Sequence, residues 1–95
     1  MIFVINDLKY DTDKMELVSE KCEYIYTYTM FKSKFGGYGK DVQLWKSVHG
    51  RWLLTYNRGY STVYANALTD QEAKNMLMKY DLDKYEELFG ELEEA

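Results

Sequence analysis

No proline occurs in this chain of 95 residues, and cysteine and histidine occur once each, as Cys22 and His49. Without proline there is nothing to suggest a stiff linker, so the sequence predicts one domain over residues 1–95. A lone cysteine excludes an internal disulfide and a zinc knuckle, which fits a reducing, cytoplasmic compartment. Neither Cys22 nor His49 has the partners needed for a catalytic triad or a metal site. The chain is therefore expected to be non-enzymatic, with no cofactor and no metal. No apolar run approaches the roughly 18 residues needed to cross a bilayer, and Met1–Val4 lacks the basic lead-in of a secretory signal. No membrane partner is expected.

What the chain does have is bulk and unevenly distributed charge. Apolar residues make up 46% and aromatics 17%, with ten tyrosines, enough to close a small core. From Lys32 to Arg58 six bases (Lys32, Lys34, Lys40, Lys46, Arg51, Arg58) stand against one Asp41, a net +5. From Asp81 to Ala95 seven acids (Asp81, Asp83, Glu86, Glu87, Glu91, Glu93, Glu94) stand against one Lys84, a net −6. A folded body ending in acid repels nucleic acid at long range and attracts basic protein surfaces. These seven acids, flanking the short apolar stripe Leu82, Tyr85, Leu88 and Phe89, are the candidate partner-binding residues.

Periodicity and turn chemistry predict the elements. Ile2–Tyr10 reads as a hairpin about an Asn6-Asp7 type I′ turn, with Ile5 opposite Leu8 and Phe3 opposite Tyr10. A helix of two to three turns is expected next, capped by Asp13 with Glu16 three residues on, and with Met15, Leu17 and Val18 on its apolar side. Glu23–Ser33 alternates Tyr24, Tyr26, Tyr28 and Met30 with Ile25, Thr27, Thr29 and Phe31, the pattern of a strand. Phe35–Lys40, with three glycines in four positions, is predicted to be a loop. Val42–Val48 and Trp52–Tyr56 follow as strands joined by a tight His49-Gly50 turn. Thr69-Asp70-Gln71-Glu72 is a capping box that opens a helix with the stripe Ala73, Met76, Leu77 and Tyr80. A second helix carries Leu82, Tyr85, Leu88 and Phe89 up to Gly90 as its C′ residue, and Glu91–Ala95 is expected to fray.

The expected fold is α+β. It has a single antiparallel sheet (the N-terminal hairpin plus three strands), a short helix after the hairpin, and C-terminal helices on one face. Trp52 or Leu53, Leu77 and Phe89 are expected among the buried contacts.

Other constellations have structural explanations. Asp11, Asp13 and Glu16 lack the glycine and ligand spacing of a calcium loop. Gly36-Gly37-Tyr38-Gly39-Lys40 lacks the Gly-Lys-Ser/Thr that opens a phosphate-binding helix. The Tyr24/Tyr26/Tyr28 face near Lys32, Lys34 and Lys46 is suited to stacking nucleotides, although the same tyrosines can supply the edge of a core. The net charge of −4 opposes approach to a phosphate backbone, so direct nucleic-acid binding is disfavoured.

Ile5-Asn6-Asp7-Leu8-Lys9-Tyr10-Asp11-Thr12-Asp13-Lys14-Met15-Glu16-Leu17-Val18 resembles the opening of a family of small proteins from bacterial phages and mobile elements, approximately N-G-K-x-Y-D-T-D-T-A-E-L-V. Leu44-Trp45-Lys46 with Gly50 is similar to its L-Y-x-T-x-x-G segment, and Trp52-Leu53-Leu54 to its F-L strand. Asn57-Arg58-Gly59-Tyr60-Ser61 with Tyr64-Ala65 resembles its G-G-x-x-S-x-Y-A loop, and Leu68–Ala73 its L-T-x-x-E-A helix start. Met15, Asp7 and Arg58 depart from the family's alanine and glycines, and Tyr26–Lys40 looks expanded.

Some members of that family are anti-CRISPR proteins. The resemblance implies a mobile-element accessory protein in the cytoplasm of a bacterial host. The expected function is a non-enzymatic inhibitor whose acidic surface mimics DNA. Its partner would be a host CRISPR effector or another basic nucleic-acid-binding protein, whose engagement of nucleic acid it blocks. The alternatives are a nucleic-acid-associated accessory protein using the Tyr/Lys face, or a structural or regulatory partner of another mobile-element protein. The oligomeric state is left open.

Overall fold

The computed structural model describes residues 1–59 and 61–95; Tyr60, part of the family-like segment around Arg58, lies outside the described residues. Its strands are β1 (Ile2–Ile5), β2 (Leu8–Asp11), β3 (Glu16–Ser19), β4 (Ile25–Met30), β5 (Ser33–Tyr38), β6 (Lys40–Lys46), β7 (Trp52–Asn57) and β8 (Val63–Leu68). The helices α1 (Asp70–Tyr80) and α2 (Leu82–Phe89) follow. The α+β class and the C-terminal helices are as the sequence predicts. The single sheet is not. Three antiparallel sheets form instead: the hairpin β1–β2, a four-stranded sheet in the order β3-β6-β7-β8, and a separate two-stranded arm β4–β5.

The N-terminal hairpin turns at Asn6 and Asp7, both at positive φ (50° and 63°), which short polar side chains tolerate. Ile5 pairs with Leu8 and Phe3 with Tyr10. The expected helix after it is replaced by a single 3-10 turn, Thr12–Lys14, followed at once by β3. Asp11, rather than Asp13, caps this turn by accepting a hydrogen bond from the Asp13 amide at 3.1 Å. Leu17 then pairs with Trp45 of β6, and a bulge lets Ser19 face Leu44. Ladder hydrogen bonds and the burial of Val18 outweigh a two-turn helix, which is marginal alone.

The glycine segment is also not a loop. Gly36 and Gly37 belong to β5, which pairs with β4 from Ile25↔Tyr38 to Met30↔Ser33. Gly37 lies beneath the Tyr26 ring, where an added Cβ would come within 2.5 Å of the ring. The position needs a residue without a side chain, so glycine here favours the strand rather than breaking it. The β6–β7 connection is longer than a two-residue turn: the Ser47 amide donates to the Arg51 carbonyl (2.8 Å), with Gly50 at φ 80°. Val63–Leu68, for which the sequence suggests no strand, pairs with β7 from Trp52↔Leu68 to Asn57↔Val63.

β7 sits inside this sheet and is buried on both sides along Trp52–Tyr56. Trp52, Leu54 and Tyr56 pack with Leu44, Val42, Val18 and Cys22 and with Ala73 and Leu77 of α1. Leu53 is fully buried on the opposite side, and Thr55 beside it accepts from the Trp45 indole at 2.9 Å. Tyr24 and Tyr26 pack with the helix-side core, and the N-terminal hairpin, buried at Tyr10, lies against β8. The capping box forms as expected: the Glu72 amide donates to the Thr69 hydroxyl and the Thr69 amide to the Glu72 carboxylate. The Thr69 amide, followed by its hydroxyl, holds the Glu72 carboxyl below its usual pKa. Phe89 touches Trp52 across 6.4 Å but keeps its outer edge exposed.

Candidate functional site

The acids of the C-terminal segment divide by position. Asp81 caps α2: its Oδ1 accepts from the Lys84 amide (3.4 Å) and its Oδ2 accepts from the Ser19 hydroxyl (2.7 Å). It is only 9% exposed, so it ties the helix to β3 and contributes nothing to an exposed acidic surface. Asp83 is exposed beside a shallow depression that also involves Lys21 and Lys84. Glu87 forms the segment's one ion pair among the described residues, with Lys84 Nζ at 3.3 Å.

Glu86, Glu91, Glu93 and Glu94 come together. They line an open groove with Leu82 and Leu92, and the Glu86 carboxylate accepts from the Leu92 amide at 3.2 Å, folding the tail back beside the helix. Leu82 and Leu92 are exposed there. The result is a short apolar strip rimmed by carboxylates, of which Glu91, Glu93 and Glu94 are exposed and Glu86 is partly buried. Leu92 and the folded-back tail go beyond the sequence reading, in which residues past Gly90 are expected only to fray.

The tyrosine face divides as well. Tyr24 is occupied by the fold: its hydroxyl accepts from Asn66 Nδ2 (2.8 Å) and its ring lies 4.7 Å from Tyr56. Lys46 lies over Trp52 at 5.1 Å, away from the tyrosines it was expected to accompany. Tyr26 and Tyr28 instead share an open cleft with Arg58 and Tyr64. Sequence reasoning does not place Arg58 and Tyr64 in this cleft because tertiary packing alone brings them there: Tyr56 stacks on both Tyr26 and Tyr64, and Arg58 lies over the same two rings.

The catalytic candidates have ordinary surroundings. Cys22 is buried, and its thiol lies 3.8 Å from the Ser19 hydroxyl. Burial pushes its pKa up and nearby Asp81 adds to this, against a smaller opposing effect of the Ser19 hydrogen bond. Such a thiol is a weak nucleophile. His49 stands exposed in the β6–β7 connection. Among the described residues no three His, Cys, Asp or Glu side chains are grouped to hold a metal, and no helix is long and apolar enough to cross a membrane. No family model matches the chain, and neither curated proteins nor solved structures give a significant match. The likeness to mobile-element proteins rests on its motifs alone.

Proposed function

We propose that the protein is a non-enzymatic binding module that docks its acidic C-terminal end on a basic, nucleic-acid-binding surface of another protein. The observation that carries this reading is the groove in which Glu86, Glu91, Glu93 and Glu94 rim the exposed Leu82 and Leu92. Carboxylates at the rim steer the encounter and compete for a site built for phosphates, while the leucines supply apolar area to bury. The motif likeness narrows the partner to a host defence complex, most specifically a CRISPR effector, with the bound inhibitor excluding nucleic acid.

The test changes Glu86, Glu87, Glu91, Glu93 and Glu94 together to Gln. Asp81 is kept because the fold needs it. Affinity for the effector should fall at least about tenfold, or about 1.4 kcal/mol, mainly through a slower on-rate at low salt. Thermal stability should change little, because exposed charges contribute little. Unchanged affinity, or undiminished binding when the effector already holds its DNA, would sink the proposal.

A further inference from the structure

The arm β4–β5 and the end of β7 carry a second surface that the acidic end does not explain. Between Tyr24 and Tyr64 the only acid is Asp41, and its carboxylate already accepts from Asn57 Nδ2 at 2.8 Å. Arg58 lies between two tyrosine rings, its guanidinium carbon 4.5 Å from the Tyr26 centroid and 4.3 Å from that of Tyr64. The two rings flank the guanidinium, and the Tyr56 side chain hydrogen-bonds it and raises its pKa, so the part of its edge that Tyr56 leaves open is what an oxyanion can reach. Its Nε is buried and has no hydrogen-bond partner among the described residues. A second cation, Lys40, lies outside the cleft lining but against Gly59, the residue after Arg58, with Nζ 3.6 Å from where a Cβ on Gly59 would stand.

Aromatic rings lead away from this charge. Tyr26 is followed by Tyr28 at 6.1 Å, and Tyr28 stacks on Phe35 at 5.6 Å and 24°. Phe35 is 45% exposed, so the ladder ends at a ring open to solvent; Lys34, the residue before it in β5, points to the opposite face of the arm. At the arm's tip Phe31 and Lys32 both hold positive φ (51° and 65°), and Phe31 is 92% exposed. Asn-Gly or Asp-Gly suits such a turn far better than Phe-Lys. A bulky aromatic kept strained and exposed at a basic tip points to contact with a ligand.

We propose that the cleft of Tyr26, Tyr28, Arg58 and Tyr64 is a nucleotide-binding site. The phosphate pairs with the edge of Arg58 and with Lys40, and the base stacks on the Tyr28–Phe35 ladder. A free nucleotide and a unit of a single strand offer the same chemistry; a further exposed ring, Phe31, at the arm's tip favours a strand. A structural reading also exists, in which Arg58 simply clamps the arm to the sheet. That reading gives the exposed Phe31 and Phe35 no role.

The probes are fluorescein-labelled oligothymidylate, thymidine monophosphate and inorganic polyphosphate, each tested on the full chain at low salt by anisotropy or competition. Oligothymidylate should bind, and its affinity should fall at least tenfold in both Arg58→Gln and Phe35→Ala. Lys46→Ala should leave it unchanged. Phe35→Ala spares the Arg58 clamp, so the proposal remains testable if Arg58→Gln unfolds. Much tighter binding of the oligomer than of the monophosphate identifies a strand as the ligand, and equal affinity a free nucleotide. Absence of binding by both, or equal competition by polyphosphate together with an unaffected Phe35→Ala, overturns the proposal. The outcome is independent of the acidic end, since the five-Gln variant should bind oligothymidylate at least as well as the parent.

Discussion

At the scale of single residues, burial separates groups that look alike in the sequence. Asp81 and Asp83 are two positions apart, yet the first is locked onto Ser19 and the start of α2 while the second faces solvent. Cys22 shares the Ser19–Asp81 corner, and burial there disfavours its thiolate. Because the folded pKa is raised, the unfolded chain releases the proton first. The stability linked to this thiol is complete below the ordinary value of 9.0 and is lost as pH rises through the higher folded value. Compared with Cys22→Ala, the native chain should therefore lose its advantage in urea midpoint as pH climbs above that ordinary value. A constant difference between the two proteins across that range would show that the thiol titrates as freely as in the unfolded chain.

At the scale of elements, the arm shows how glycine can support a strand. Gly37 lets the Tyr26 ring lie flat across β5, where Tyr56 stacks on it at 5.9 Å and Arg58 covers it. An alanine there would force the ring aside and break both contacts, at a cost of about 1–3 kcal/mol. At Gly36 the nearest atom to an added Cβ is Ile25 Cγ2 at 3.5 Å, an ordinary contact. Gly36→Ala should stay within about half a kcal/mol of the parent. Thermal unfolding of the two variants, with near-ultraviolet circular dichroism to follow the tyrosines, decides the matter. Equal stability would mean that Tyr26 is not pinned.

At the scale of the molecule, the fold keeps its oppositely charged segments on different elements. The bases lie along the arm and the β6–β7 region, and the exposed acids lie on α2 and the tail, in a body 46 × 33 × 21 Å. The central sheet and α1 join these parts through a small core in which Leu77 is fully buried. Leu77→Ala should cost about 2–4 kcal/mol, because so small a core cannot collapse around the lost side chain. A denaturant midpoint that changes by less than about half a kcal/mol would place α1 off the sheet.

Features set by neighbours in the chain were legible in the sequence: the Asn6-Asp7 hairpin, the strand over Tyr26 and Tyr28, β6 and β7, and the capping box at Thr69. Each depends on local turn geometry, side-chain alternation or a hydrogen bond between residues three apart, and these act without the rest of the fold. The segregation of charge could likewise be read directly. Tertiary structure alone decided that Glu16–Ser19 is a strand, that Gly36 and Gly37 are paired, that Val63–Leu68 closes the sheet and that the sheet divides into three. It also placed Asp81 inside and brought Arg58 and Tyr64 against Tyr26. The physical reason is common to all of these: the stabilising contact comes from a residue distant in sequence, whether Lys46 and Trp45 for β3, Tyr26 for Gly37 or Ser19 for Asp81. Local propensity contains no information about such a partner until the chain has folded around it.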